Sequence, residues 1–141
     1  MPVEIERCFL KALKMQKKSL NSVKVLSLNR DEVIYRLKKA IKNFAEKRSE
    51  ILKAVLFGSL VKGDYTPYSD ADILIIISNK AKIPTRIRDR IPDYFIEDTP
   101  IPIDVFPYKE KEIQRMISEG NFFIKAAVDN GQVLFSRGRI L

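Results

Sequence analysis

Two apolar, strand-like segments separated by a glycine turn most constrain how this chain can fold. The first, residues 52–57, runs directly into Gly58, and the second, residues 70–77, begins Asp-Ala-Asp and continues as a β-branched apolar run. Short runs of this composition are typical of buried strands, and a glycine after a strand lets the backbone turn sharply. We therefore expect two buried strands, joined by a turn and short helix over residues 58–63 and a loop over residues 64–69.

Helical patterns surround these two strands. Residues 30–48 carry apolar side chains at helical spacing, with Asn29 as the expected N-cap, and residues 4–18 carry a weaker version of the pattern. The other predicted elements are helices at 85–98 (interrupted by Pro92), 109–119 and 121–130, and strands at 101–106 and 132–135. Strands separated by helices predict an α/β (α+β) fold, a small mixed β-sheet flanked by helices. We assign this domain to residues 30–141 and an N-terminal helical extension to residues 1–29.

The residue types that are absent exclude several kinds of chemistry. The 141 residues include no histidine and one cysteine, Cys8. Nucleophiles that need a histidine base are therefore excluded, and ordinary zinc sites lack their ligands. Catalysis must depend on carboxylates, lysines, hydroxyls and hard metal ions. A single cysteine fits a reducing compartment, and no apolar run resembles a bilayer span or a secretory signal. We expect a cytoplasmic protein without membrane association.

Gly58 and Ser59 form a candidate phosphate cradle. A glycine at the end of a strand allows a phosphate to approach the backbone, and a helix that begins there directs unpaired N–H groups at an anion. The Ser59 hydroxyl adds a donor, and Lys62 lies about one turn further on. Alone, however, Gly-Ser is more often an ordinary strand-to-helix turn with a serine cap, so its meaning depends on the residues that follow.

Two acids follow the cradle at strand spacing. Asp70 and Asp72 are two residues apart, so on a strand both carboxylates project to the same face. Like charges held this close repel each other unless a cation lies between them, and carboxylates together with substrate phosphates are usual Mg²⁺ ligands. The alternative is purely structural, with Asp70 capping a turn and Asp72 solvated.

Asp104 is a third acid, placed within the apolar run Ile-Pro-Ile-Asp-Val-Phe at residues 101–106. A lone carboxylate in a strand is costly to bury unpaired, so Asp104 either meets a cation or lies at an exposed sheet edge. If its strand lies beside that of Asp70 and Asp72, three acids converge and a metal ion becomes the natural compensation.

The combination of Phe-Gly-Ser, ten residues, Asp-Ala-Asp-Ile and then Ile-Asp-Val resembles the signature of the DNA polymerase β-type nucleotidyltransferase superfamily. It is most similar to the minimal nucleotidyltransferases of prokaryotes, over about residues 30–136. The resemblance implies that Asp70 and Asp72 hold two Mg²⁺ ions. It also implies that Asp104 completes one metal site and helps to deprotonate the attacking hydroxyl.

The same resemblance implies a nucleoside triphosphate site. Gly58 and Ser59 would hold the triphosphate, and Lys62 and Ser69 would contribute to nucleotide binding. Lys62 stands where the family often has an arginine. Lysine keeps the charge but loses the bidentate geometry with phosphate.

The implied reaction is transfer of a nucleoside monophosphate, AMP from ATP, with release of pyrophosphate. Minimal members resemble the antitoxin half of two-component systems whose partner is a HEPN-domain protein, which would then be the acceptor. Two other functions remain open at this point: a non-catalytic antitoxin or binding module, and nucleotidyl transfer to RNA or to a small molecule.

The net charge of +8 lies entirely ahead of the motif. Residues 1–53 contain 14 Lys and Arg against 6 Asp and Glu, whereas residues 54–141 contain 12 of each class. This surplus predicts either a basic face for nucleic acid or an acidic partner, or simply a solvated helix surface in a lysine-rich protein. A homo-oligomer also remains open.

Overall fold

The computed structural model describes residues 30–58 and 71–137. Along the chain its elements are α1 (Arg30–Glu46), β1 (Ile51–Phe57), β2 (Ala71–Ile77), α2 (Ile87–Arg90) with a 3₁₀ turn (Ile91–Tyr94), β3 (Ile103–Lys109), α3 (Glu110–Ser118), α4 (Phe122–Asn130) and β4 (Gln132–Ser136). The predicted helix at 4–18, the Asn29 cap and the turn, helix and loop after Gly58 lie outside the described residues.

The four strands form one mixed sheet in the order β3-β2-β1-β4. β1 pairs antiparallel with both β2 and β4, whereas β2 and β3 are parallel. Parallel neighbours need a crossover, and here residues 78–102, which contain α2, make it. The prediction of a small mixed sheet flanked by helices is confirmed.

Helix α1 covers one face of the sheet. Its buried side chains are Val33, Ile34, Leu37, Ile41 and Ala45. They pack in one cluster with every second residue of the central strands, including Leu56 of β1 and Ile73 and Ile75 of β2. The predicted apolar stripe of this helix is therefore confirmed, and it determines which strand residues face α1.

Helices α3 and α4 cover the opposite face. The intervening strand residues Val55, Phe57 and Leu74 turn to this side and pack against Ile113 of α3 and Ile124 of α4. Both central strands are thus covered on both faces, which accounts for their continuous apolar sequences. None of the helices in the described ranges combines the length and apolar character needed to cross a membrane.

The helix predicted over residues 85–98 is much shorter than expected. Regular α-helix covers only Ile87–Arg90, and the chain then tightens into the 3₁₀ turn that contains Pro92. Proline cannot donate to a preceding helical turn, so the α-helical ladder stops there. Phe95, the residue after this turn, has extended backbone angles.

A buried arginine fixes this segment against the sheet. Arg90 is 2% exposed, and its guanidinium donates to the carbonyl oxygens of Pro84 at 2.6 Å and Pro107 at 3.0 Å. It also donates to both carboxylate oxygens of Glu112, at 2.8 and 3.0 Å. Hydrogen bonding from Arg90 lowers the pKa of Glu112, against an opposing contribution from burial. The pair joins α2, β3 and α3.

Strand β3 begins and ends later than predicted. The sequence predicted residues 101–106, but the strand spans Ile103–Lys109 and continues through Pro107. β3 lies at an edge of the described sheet and has a partner strand on one side only. A proline is tolerated in such a strand, because its missing N–H can face the side where no strand pairs. The following helix accordingly begins at Glu110 rather than at residue 109.

Candidate active site

Asp72 and Asp104 lie side by side on adjacent strands. Each is the second residue of its strand, and the parallel register of β2 and β3 pairs them directly. Register partners in a parallel pair point to the same face of the sheet, and neighbouring strands are about 4.8 Å apart. The fold therefore brings together two of the three predicted acids, from positions 32 residues apart in the sequence.

Gly58 meets the same carboxylate from the end of β1. Phe57, the last residue of β1, pairs with Asp72 across the antiparallel β1–β2 ladder. Gly58 then turns the chain with a φ of +89°. A Cβ atom added at Gly58 would collide with Oδ2 of Asp72 and lie 3.4 Å from its Cγ. Only glycine lets the backbone pass this close to the acid while adopting that turn.

The two acids and Gly58 are partly exposed, although the strands behind them are buried. Beyond Asp72 the strand passes into the buried residues Ile73 and Leu74. The acids therefore stand where the covered part of the sheet meets solvent, and a ligand can reach them. The two acids belong to the face of the sheet that α3 and α4 cover. Leu74 and Phe106, two residues after each acid and therefore on the same face, pack with those helices.

The donor set at this edge fits a hard divalent cation. Two carboxylates held in register repel each other, and a cation between them relieves the repulsion. Oxygen donors from one or two carboxylates plus substrate phosphates are what Mg²⁺ takes in proteins. No cluster of three or more potential metal-ligating acids, cysteines or histidines occurs within residues 30–58 and 71–137, and the third predicted ligand, Asp70, lies outside these ranges.

Three further predicted site residues, Ser59, Lys62 and Ser69, also lie outside the part of the chain that the structure describes. Their assignment to the triphosphate remains a prediction. Gly58, Asp72 and Asp104 are the predicted site residues whose positions are described, and they converge on one edge of the sheet.

The structure has a pocket next to Gly58 that the sequence analysis did not predict. It has a volume of about 340 Å³. The described residues that line it are Phe57, Gly58, Phe122, Phe123, Ala126, Ala127, Asn130 and Gly131. It lies between the end of β1 and helix α4, so Gly58 borders both the pocket and the acidic pair. We call it the aromatic pocket.

Two phenylalanines at the start of α4 shape this pocket. Phe122 is 82% exposed and Phe123 is 54% exposed. The Phe123 ring packs edge-on against Phe57 at 5.2 Å and against Phe106 at 5.8 Å between centroids. Consecutive helical residues point in different directions, so an adjacent Phe-Phe pair was the available sequence signal that one ring would not be buried.

Comparison with known proteins identifies the domain family. Residues 37–134 match the family model described as a nucleotidyltransferase domain. A protein of Methanocaldococcus jannaschii, named as a candidate protein adenylyltransferase, is 51% identical over 43 residues. That match takes up 27% of this chain and spans 43% of the length of the relative.

A solved structure shows the same fold. The crystal structure of a candidate nucleotidyltransferase from Sulfolobus solfataricus superposes with a TM-score of 0.54 at 20% identity. The superposition covers 78% of this chain and 86% of the other. At this identity the likeness concerns the arrangement of helices and strands.

Proposed function

Because the chain belongs to the nucleotidyltransferase domain family, we propose that it transfers AMP from ATP to a hydroxyl group of a protein acceptor, in an Mg²⁺-dependent reaction that releases pyrophosphate. The observation that carries the proposal is the pairing of Asp72 with Asp104 next to Gly58. The name of the Methanocaldococcus relative favours an adenylyl group and a protein acceptor.

Asp72 and Asp104, together with Asp70, would hold the metal. When bound, divalent ions supply neutralisation of the triphosphate charge and acidify the attacking hydroxyl. The described carboxylates support this assignment by their register, because both face the same side at the open end of their strands. Gly58 and Ser59, with Lys62 and Ser69, are proposed to bind the triphosphate.

The chain's own residues would position and deprotonate the reactants. The acceptor hydroxyl oxygen forms a bond to the α-phosphorus as the bond from that phosphorus to the α–β bridging oxygen breaks. The bridging oxygen takes the electron pair and leaves as part of pyrophosphate. Asp104 accepts the proton of the hydroxyl, in line with the role that carboxylates serve as general bases.

We propose a HEPN-domain protein as the acceptor, on the strength of the resemblance to minimal nucleotidyltransferases. The gene next to that of this chain is the first place to seek it. Modification of the acceptor, rather than contact with it, would then neutralise its activity.

Label transfer tests this function. The full chain is incubated with Mg²⁺, the neighbouring gene's product and ATP labelled in either the α- or the γ-phosphate. We expect the acceptor to retain the α-label and not the γ-label. Asp72→Asn and Asp104→Asn should each lower the rate about 100-fold or more, the loss typical of removing a transition-state electrostatic contact.

Asp98→Asn is the matched control. Asp98 is an exposed acid with a φ of +61°, a conformation that asparagine accepts, and it lies outside the proposed site. Transfer of the γ-label would indicate phosphoryl transfer instead. Retention of full activity by both site variants, or equal neutralisation of the partner by wild type and variants, would contradict the proposed function.

A further inference from the structure

We propose that the aromatic pocket binds the nucleobase of the nucleoside triphosphate, with the base stacked on Phe122. This inference rests on the proposed function, since it assigns the uncharged end of the same substrate. The triphosphate would lie at the Gly58 turn, and the base would extend from there toward α4.

The position of the pocket is the first support. Gly58 is part of its wall and also abuts the Asp72 carboxylate. Phe57, another wall residue, is the register partner of Asp72. One substrate can therefore reach both the acids and the pocket, because the two sites share the last residues of β1.

The chemistry of the wall is the second support. None of the described lining residues carries a charge, and Asn130 supplies the one polar side chain among them. Such a surface does not suit a triphosphate, but it suits the flat apolar face of a base, with an amide available to its polar edge. A volume of about 340 Å³ lies at the lower end of the range of about 300–1,000 Å³ found for small-molecule sites.

The third support is the contrast between the two rings. Phe123 is held by edge-on contacts with Phe57 and Phe106. Phe122 lies beside it with 82% of its surface exposed. A phenyl ring presented in this way next to a nucleotide site is a stacking platform, and aromatic stacking accepts any base because every base has a π-face.

Close backbone packing holds the Gly131 wall of the pocket against β1. A Cβ atom at Gly131 would collide with Cγ1 of Val55 and with the carbonyl oxygen of Ala127, and would lie 2.9 Å from the carbonyl oxygen of Leu56. The absence of a side chain there lets the end of α4 lie directly against β1. Ala126, an exposed residue of α4, contributes only a small side chain to the lining.

The experiment compares ligands that carry different parts of ATP. Dissociation constants of ATP and of inorganic tripolyphosphate are measured by calorimetry in Mg²⁺ for the full-length wild type, Phe122→Ala and Ala126→Leu. Phe122→Ala removes the platform, and Ala126→Leu fills the pocket at an exposed helical position without harming helix propensity. Tyr35→Ala is the control, because Tyr35 is a 57% exposed aromatic residue on α1, the helix that covers the opposite face.

We expect both pocket variants to weaken ATP binding roughly tenfold, as the loss of one base stack does, while tripolyphosphate binding stays at the wild-type value. Tyr35→Ala should change neither. The inference is overturned if the pocket variants bind ATP like wild type, or if they weaken the binding of ATP and tripolyphosphate equally. It is also overturned if ATP binding is unchanged but label transfer to the acceptor is lost, since the pocket would then receive the acceptor.

These results separate the inference from the proposed function. Suppose that wild type transfers the α-label, but that the pocket variants either bind ATP like wild type or weaken ATP and tripolyphosphate binding equally. Then only the assignment of the base site is wrong. If wild type binds neither ATP nor tripolyphosphate in Mg²⁺, the proposed function itself is contradicted.

Discussion

Asp72 and Asp104 occupy the same rung of the parallel β2–β3 ladder, each one residue inside the start of its strand. A slip of one residue in this register would send one carboxylate to the α1 face of the sheet. The apolar residues that follow each acid prevent such a slip, because Ile73 and Val105 are buried on the α1 side. The packing of the core thus determines the placement of the acids.

Gly58→Ala should abolish nucleotidyl transfer while leaving a folded protein. The φ of +89° disfavours alanine by about 1–3 kcal/mol, and the new Cβ would also displace the Asp72 carboxylate. We expect a moderate fall in the free energy of unfolding, measured in urea, together with loss of label transfer.

Gly120→Ala is the control for the backbone effect. Gly120 has nearly the same φ, +90°, but an added Cβ would meet nothing within 4 Å. It should lower stability by a similar amount and leave transfer intact. Equal loss of transfer in both variants would show that the effect of Gly58→Ala arises from destabilisation rather than from its contact with Asp72.

Glu112→Gln should destabilise the protein at neutral pH and much less in acid. The change removes the counter-charge of the buried Arg90, and hydrogen bonds to charged groups contribute about 1.5–3 kcal/mol. The hydrogen bond from Arg90 lowers the pKa of Glu112 in the folded protein. The ionised Glu112 therefore stabilises the fold at a pH above the ordinary glutamate pKa of about 4.3. This stabilisation is lost as the pH falls through the lowered pKa of the folded protein.

Urea unfolding of wild type and Glu112→Gln between pH 3 and 7 measures this dependence. The difference in unfolding free energy should shrink as the pH falls below about 4.3. Glu97→Gln, at an exposed acid, should differ little from wild type throughout. A difference between wild type and Glu112→Gln that stays constant over the range would contradict the assigned role of the ion pair.

Tyr94→Phe should make the free energy of unfolding less sensitive to alkaline pH. Tyr94 is buried and its hydroxyl donates to Oε2 of Glu50 at 3.0 Å. Burial, followed by the hydrogen bond to Glu50 and the charge of Glu50, raises the pKa of Tyr94 well above its usual range. The protonated Tyr94 phenol therefore contributes to the free energy of unfolding at a pH below the ordinary tyrosine pKa of about 10. This contribution is lost above that pH, because Tyr94 ionises more readily in the unfolded chain.

We expect the unfolding free energy of wild type to fall more steeply than that of Tyr94→Phe between pH 9 and 11. Tyr35→Phe, at an exposed tyrosine, should follow the wild-type curve. Parallel curves for wild type and Tyr94→Phe would exclude a role for the buried phenol.

Much of the fold followed from local sequence patterns. The apolar spacing of α1 and the β-branched runs of β1 and β2 determine these elements, because each pattern matches the period of its structure and the layers that cover it. The helix predicted over residues 121–130 is also present as α4, and the structure adds its N-cap, the Asn121 side chain, which accepts from the N–H of Ile124 at 3.0 Å. These signals need no knowledge of distant contacts.

The differences depend on contacts that are remote in sequence. α2 ends at the Pro92 that the sequence had already marked, but its place against the sheet depends on Arg90, whose partners Pro107 and Glu112 lie 17 and 22 residues further along. The passage of β3 through Pro107 requires that this strand be at the edge of the described sheet. Neither condition can be obtained from a local pattern.

The acids of the candidate site could be identified from the sequence, whereas the pocket beside them could not. Strand spacing and the resemblance identified Gly58, Asp72 and Asp104, and the register places these three together. The aromatic pocket depends instead on how closely α4 approaches β1, which the local sequence does not specify. The roles assigned to Gly58, Asp72 and Asp104 stay predictions, as do those of Ser59, Lys62, Ser69 and Asp70.

The most direct measurement is Mn²⁺ binding, as a spectroscopic substitute for Mg²⁺, in the presence of a non-hydrolysable ATP analogue. Asp72→Asn and Asp104→Asn should each weaken binding at least tenfold, since losing a ligand should cost no less than losing an outer-shell partner, about 10–100-fold. Asp98→Asn should bind Mn²⁺ like wild type. If both site variants also bind Mn²⁺ like wild type, the paired carboxylates do not hold the metal, and the proposed metal-dependent transfer at this edge of the sheet is contradicted.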